Sequence, residues 1–357
     1  MSLFSFISNN GNSILVGDLA LTTEESVTPI FIPLHNQEYN AEDFADGRAP
    51  YKWALKTIVI KDLLCLGAVG FVDRIITLFR NVEDFFIHLE VTHDNLMLFL
   101  NNSANFSDFD GCSALFALCN IINDAKRVEV YGKGTIAPKI KNHPTYGQVA
   151  SIGTGAEVWN EKFNEDCTLN SEGTSNPSKV LSNVLLSVMH FLEEERVTPE
   201  NLQDGWGGGF NITYVEEFKF RKLDNMGFVW WFLDISEEIW EPKPVSLVRF
   251  SYKGKNLFIQ HFNKNDYKAY GIRPIHDKID IEDQPTALEF DCYTVTSCIY
   301  VFRGPERIYT IFSVNSINNS EPLIHAREID GLTAFGWQAK LGTALIDLVR
   351  VAVTDDR

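Results

Sequence analysis

Ser2 follows Met1 directly and opens an alternating apolar stretch, so loss of the methionine would leave a hydroxyl and an α-amine on one terminal residue. A serine hydroxyl is a poor nucleophile until a base takes its proton, and an N-terminal residue carries such a base in its own amine. At an unperturbed pKa of about 7.7–8.0, roughly a tenth or more of that amine is neutral near pH 7, whereas a lysine at about 10.4 is almost wholly charged. The amine is the base this pairing offers. The small side chain at position 2 suits removal of Met1 without a propeptide, and the chemistry needs that removal because an internal serine has no free amine.

Other chemistries find little support. The eight histidines are scattered, none in HExxH or another ligand spacing, and the six cysteines (Cys65, Cys112, Cys119, Cys167, Cys292 and Cys298) contain no CxxC pair. Neither a metal site nor a cofactor is expected. Unpaired cysteines and the lack of a basic-apolar-small leader predict reduced thiols in a cytoplasm. The formal charge of −17 repels phosphate backbones and anionic membrane surfaces, so nucleic acid and membrane are both excluded as expected partners. No apolar run is long enough to cross a bilayer. With 45% hydrophobic and 22% charged residues in a chain of 357, a large core plus a second, smaller domain is expected.

The elements that would position Ser2 begin at once. Leu3 to Ser8 alternates as a strand, Asn9-Asn10-Gly11-Asn12 supplies turn residues, and Ser13 to Asp18 resumes a strand, which predicts a hairpin. Residues 23–50 are polar and carry Pro29, Pro33 and Pro50, reading as an inserted loop. Ala54 to Leu66 predicts a second hairpin around Lys61-Asp62, followed by Gly67-Ala68-Val69-Gly70. The apolar spacing from Phe71 to Leu89 predicts a helix, and that of Leu115, Leu118, Cys119, Ile122 and Ala125 predicts another over residues 112–126. Strands at Val128–Tyr131 and Val149–Ile152, a helix over about 179–195, and strands at 210–220 and 228–235 complete this part. A boundary is expected at Trp240-Glu241-Pro242-Lys243-Pro244, dividing a domain of residues 1–240 from a β-rich domain of residues 241–357. In the latter, hairpins are expected around Lys253-Gly254-Lys255 and Arg303-Gly304-Pro305-Glu306, with a closing helix over about 334–353.

The opening run from Met1 to Thr22, with Ser2, Asn10-Gly11 and Gly17-Asp18 in place, resembles the first two strands of proteasome β subunits and of HslV-type peptidases. These belong to the N-terminal-nucleophile hydrolase superfamily. Lys56-Thr57-Ile58 with Gly67-Ala68-Val69-Gly70-Phe71-Val72-Asp73 is similar to that family's lysine strand and the glycine turn into its first helix, and Ile152-Gly153-Thr154-Gly155 to its Gly-Ser-Gly. The resemblance weakens along the chain and ends near residue 235. It implies an α+β fold, a four-layer αββα sandwich of two antiparallel sheets, here with a β-rich C-terminal extension. It also implies amide hydrolysis of peptide or polypeptide, a homo-oligomeric ring or dimer, and a possible unfoldase partner.

On that resemblance the site would comprise Ser2, Asp18, Lys56, Gly70, Thr154 and Asp204. Lys56, as an ammonium, would favour the deprotonated amine and hydroxyl, because a nearby like charge disfavours a second cation. Asp18 would hold Lys56 and balance its charge. The Gly70 N–H would supply the oxyanion donor, and Thr154 would orient the amine. The family's accessory aspartate and serine fall on Gly205 and Gly208, with Asp204 one place early, so either the loop shifts and Asp204 serves or the pair is missing. Ser2 replaces the usual threonine and is less restrained at χ1. The alternative reading is a catalytically inactive scaffold or partner-binding subunit, to which those two glycines and the C-terminal extension point.

Overall fold

The computed structural model describes residues 2–9, 12–23, 30–32, 37–39, 49–122, 125–135, 137–143, 147–168, 177–198, 200–263, 266–277, 290–316, 321–329 and 332–355. Met1 and the Asn10-Gly11 turn lie outside them. The chain is mixed α+β, its sheets mostly antiparallel, and it divides into two compact units. The first comprises Met1–Ser187, Glu194–Leu223 and Ile272–Asp280; the second comprises Val188–Glu193, Asp224–Gly271 and Ile281–Arg357.

In the first unit Leu3–Asn9 (β1) and Asn12–Asp18 (β2) pair antiparallel, with Phe4 opposite Gly17. Ala20–Thr23 (β3) follows. Within the stretch read as a loop, Ile30–Ile32 (β4) pairs with Gln37–Tyr39 (β5), and Ala49–Trp53 (β6) returns to β3. Thr57–Ile60 (β7) and Leu64–Val69 (β8) form the second hairpin, whose turn holds Lys61 and Asp62 at positive φ. Helices Val72–Ile87 (α1) and His93–Asn101 (α2) come next. The second starts at Thr92, whose side chain accepts the Asn95 N–H.

The stretch over 112–126 is not a helix. Ser113–Ile122 (β9) pairs with β8 and with Ala125–Gly134 (β10). Its apolar residues sit three and four apart because the strand is buried on both sides, so apolar side chains run almost without a break and mimic a helical spacing. Ala114, Phe116 and Leu118 join a core with Leu64, Leu66 and Ala68 of β8 and with Ile75, Phe79 and Val82 of α1. The intervening Leu115, Ala117 and Cys119 join a different core.

That other core is filled from a six-stranded sheet. Its order is Lys139–His143 (β11), Gly147–Gly153 (β12), β1, β2, Phe210–Glu216 (β13), Lys219–Lys222 (β14). Phe4 and Phe6 of β1, Leu15 of β2, and Ala150 and Ile152 of β12 meet Cys65, Val69, Leu115, Ala117 and Cys119. The alternate residues of the same strands face away. Among them, Ser5 bonds Ser151 through their hydroxyls, and Ser151 donates to Asn160 on Ala156–Thr168 (α3). Pro177–Val197 (α4) and the short Glu200–Gln203 (α5) precede β13. The single strand read over 210–220 is the β13–β14 hairpin, turned at Glu217 and Phe218, both at positive φ.

In the second unit the sheet order is Asp266–Ile272 (β18), Asn256–Asn263 (β17), Lys243–Lys253 (β16), Met226–Asp234 (β15), Thr294–Arg303 (β20), Glu306–Ser316 (β21). β15 and β20 run parallel, whereas β16–β17 and β20–β21 are the two expected hairpins. Phe290–Cys292 (β19), Ile324–Ile329 (β22) and Leu332–Trp337 (β23) form a three-stranded sheet. The closing helix is Ala339–Asp355 (α6), and Leu341, Leu345 and Val349 place it in a core with Val229, Trp231, Ile299 and Val301. No helix among the described residues is long and apolar enough to cross a membrane.

A Cβ on Gly67 would overlap the ring of Phe4, which fills the space between the two sheets. Gly67→Ala should therefore destabilise the chain by about 1–3 kcal/mol in denaturant unfolding, the usual cost of overfilling a close-packed core. Adding Phe4→Leu should recover part of that loss.

Candidate active site

Because β1 and β2 are antiparallel, the end of β2 comes back to the start of β1, and Asp18 arrives beside Ser2 and Leu3. The Leu3 N–H donates to Asp18 Oδ1 at 2.9 Å. The other carboxylate oxygen accepts the Gly207 N–H at 3.0 Å, from the loop that leads into β13. Two backbone amides, one local and one distant, thus fix the Asp18 carboxylate.

Lys56 stands one residue before β7 in a segment pinned by backbone bonds. The Ala54 N–H donates to the Leu19 carbonyl at 3.0 Å, the Leu55 N–H to the Arg273 carbonyl at 2.9 Å, and the Ala68 N–H to the Lys56 carbonyl at 3.3 Å. The Leu55 carbonyl accepts the Ile275 N–H at 2.9 Å. From this anchored backbone, Lys56 Nζ reaches Ser2 Oγ at 2.5 Å, Asp18 Oδ1 at 2.6 Å and the Ala20 carbonyl at 2.7 Å. An ammonium has three donors and no acceptor, and here each donor has an acceptor. A neutral amine would leave one of them unmet.

Ser2 and Lys56 are each 2% exposed and Asp18 is fully buried. Burial pushes the Asp18 pKa up, against the Lys56 charge and the amide bonds, and it pulls the Lys56 pKa down, against Asp18. Each charge therefore depends on the other. Ser2 Oγ lies at the edge of this pair as an acceptor from the ammonium, an arrangement that lowers the cost of an alkoxide.

The remaining candidates are placed differently. Gly153-Thr154-Gly155 forms the turn between β12 and α3 and touches the Ser2 backbone, with the Gly155 N–H 3.5 Å from the Ser2 carbonyl. Thr154 itself is exposed. Gly70 directly follows β8 with a φ of 122°, where a Cβ would run into the Gly111 carbonyl and Cys112. Asp204 is exposed in the turn after α5, its N–H bonded to the Glu200 carbonyl at 2.9 Å, and Gly207 is the residue of that loop that reaches Asp18. Ser2, Asp18 and Lys56 are brought together. Two partners the sequence did not reveal are the Ala20 carbonyl and the Gly207 N–H, because a backbone group contributes through position and carries no side-chain signature. Among the described residues, no cluster of His, Cys, Asp and Glu could hold a metal ion.

Removing either member of a buried pair leaves the other charge uncompensated. Asp18→Asn and Lys56→Met should each lower unfolding free energy by about 3–5 kcal/mol, and the double variant should be much less destabilised than the sum of the two. Additive losses in a denaturant-monitored double-mutant cycle would refute the coupling.

No family model matches the sequence, and no curated protein matches it. Among solved structures, the chain is similar to eukaryotic HslV from Trypanosoma brucei at 10% identity, over 60% of this chain and 99% of that one, with a TM-score of 0.34. That degree of overlap decides nothing about this chain's chemistry.

Proposed function

We propose that the chain is an N-terminal-nucleophile amide hydrolase, a proteasome-like peptidase whose nucleophile is Ser2 after removal of Met1. The observation that carries the reading is the fully occupied Lys56 ammonium, which spends one of its three donors on Ser2 Oγ. In this reading the domain of residues 1–240 is a four-layer αββα sandwich. The two face-to-face sheets are its inner layers, α1 and α2 cover one outer face, and α3 and α4 cover the other. Residues 241–357 are its extension.

In the mature protein the α-amine takes the proton of Ser2 Oγ as the oxygen attacks an amide carbonyl. Lys56 stabilises the negative charge that develops on Oγ as the proton leaves, and the Gly70 N–H is the donor that the family resemblance assigns to the oxyanion of the tetrahedral intermediate. Collapse breaks the C–N bond, the protonated α-amine returns its proton to the leaving nitrogen, and the acyl group remains on Oγ as an ester. Water, deprotonated by the same amine, then releases the acid. Asp18 holds Lys56 throughout and exchanges no proton. Peptide or polypeptide is the substrate class, a homo-oligomer in the cytoplasm is the working form, and no cofactor is called for.

The exposed position of Asp204 favours a second reading, a catalytically silent scaffold that retains the fold, because the family's accessory acid is then absent. A fluorophosphonate probe followed by intact-mass analysis separates the two. Protein lacking Met1 should gain one phosphonyl group on Ser2 with loss of fluoride. Ser2→Ala should gain none, and Lys56→Ala should label at least about a hundredfold more slowly, the scale of losing one preorganised electrostatic group. Trimmed protein that stays unlabelled at Ser2 would leave only the scaffold.

A further inference from the structure

We propose that Glu195 is a positioning residue for the Ser2 site, acting through the glycine loop between α5 and β13; this rests on the hydrolase reading above. Glu195 lies near the end of α4 and is fully buried. Its Oε2 accepts the Gly208 N–H at 2.9 Å and an Asn201 side-chain N–H at 2.7 Å. A carboxylate removed from water is held by such charge-assisted bonds, and one bound to a backbone amide fixes that amide in return.

The peptide unit containing the Gly208 N–H has the Gly207 carbonyl on its other side. That carbonyl accepts the Leu19 N–H at 3.2 Å and the Ala20 N–H at 3.0 Å. The Ala20 carbonyl in turn accepts Lys56 Nζ, and the Gly207 N–H donates to Asp18 Oδ2. The peptide plane gripped by Glu195 on its N–H side therefore holds Ala20, whose carbonyl aims the lysine, and it joins at the Gly207 Cα the preceding plane, whose N–H holds the Asp18 carboxylate. A negative charge on the donor side also polarises the peptide and strengthens the bonds its carbonyl accepts.

The loop needs an external grip. Gly205, Gly207, Gly208 and Gly209 have φ values of 84°, 115°, 72° and 107°, a region that other residues rarely enter. Glycine reaches it without strain but has the most conformational freedom to lose and no side chain to pack. A Cβ on Gly207 would run into Glu195 Oε2 itself. The bare glycine backbone thus leaves room for the Glu195 carboxylate and the Asn201 amide beside it.

Saturable phosphonylation of Ser2, with the maximal rate kinact and the half-saturating concentration KI measured separately, tests this role. Glu195→Gln keeps the length and an acceptor and should stay within about threefold of wild type. Glu195→Asp, one carbon shorter, and Glu195→Ala should lose about tenfold or more in kinact with KI unchanged, the pattern of a group that aligns the reacting atoms without binding the ligand. A general loss of structure would move KI and the melting temperature as well. Labelled wild type together with Asp and Ala variants within about threefold of it would overturn this role alone. Wild type that never labels would overturn the hydrolase reading and this role with it. If Glu195→Ala does not fold, the order of Gln and Asp decides: Gln faster supports the role, and Asp equal or faster overturns it.

Discussion

Asp18 and Lys56 lie 2.6 Å apart with almost no contact with water. Taking two such charges out of water costs several kcal/mol per ion, and their attraction offsets that only where the remaining donors and acceptors are also satisfied. The surrounding structure can be read as the means of satisfying them. The start of β1 supplies the Leu3 amide, the loop before β13 supplies the Gly207 amide, and the start of β3 supplies the Ala20 carbonyl. Ser2 Oγ takes the last ammonium donor, so the residue proposed as the nucleophile is also part of what makes the buried pair tolerable.

Convergence of four segments on one point follows from how the sheets are arranged. β2 sits between β1 and β13, so the end of β2 is flanked both by the chain terminus and by the approach to β13. Lys56 comes from the β7–β8 side, whose strands lie in the other sheet. The core between the two sheets, with Phe4 against Gly67, brings them close enough for a lysine side chain to cross from one to the other. Packing of large aromatic residues thereby controls a polar contact several residues away.

Two features have their origin far along the chain. Residues 273–275 return to the first unit and bond Leu55 on both its amide and its carbonyl, immediately before Lys56. In the second unit the adjacent Trp230 and Trp231 are both buried, the first donating to Glu193 and the second to Ser297. Both indoles reach the interior because the polar N–H of each has an acceptor there.

The opening hairpin, the turn at Lys61-Asp62, the long helix near 177–197 and the hairpins at Gly254 and Gly304 were legible in the sequence. Each depends on local signals: strand alternation, glycine turns or helical periodicity. The same signals misread Ser113–Ile122, because a strand buried on both faces loses the two-residue alternation that identifies it. The short helix His93–Asn101, started by Thr92, has no counterpart among the expected elements. At the site, the pairing of a hydroxyl with an α-amine is read from Ser2 itself, whereas Asp18 and Lys56 are what the family resemblance implies. Their meeting, the occupation of every ammonium donor, and the part played by Ala20, Gly207 and Glu195 were decided by tertiary structure. A backbone amide or carbonyl looks the same in every residue, so only the folded chain determines which of them face a charge.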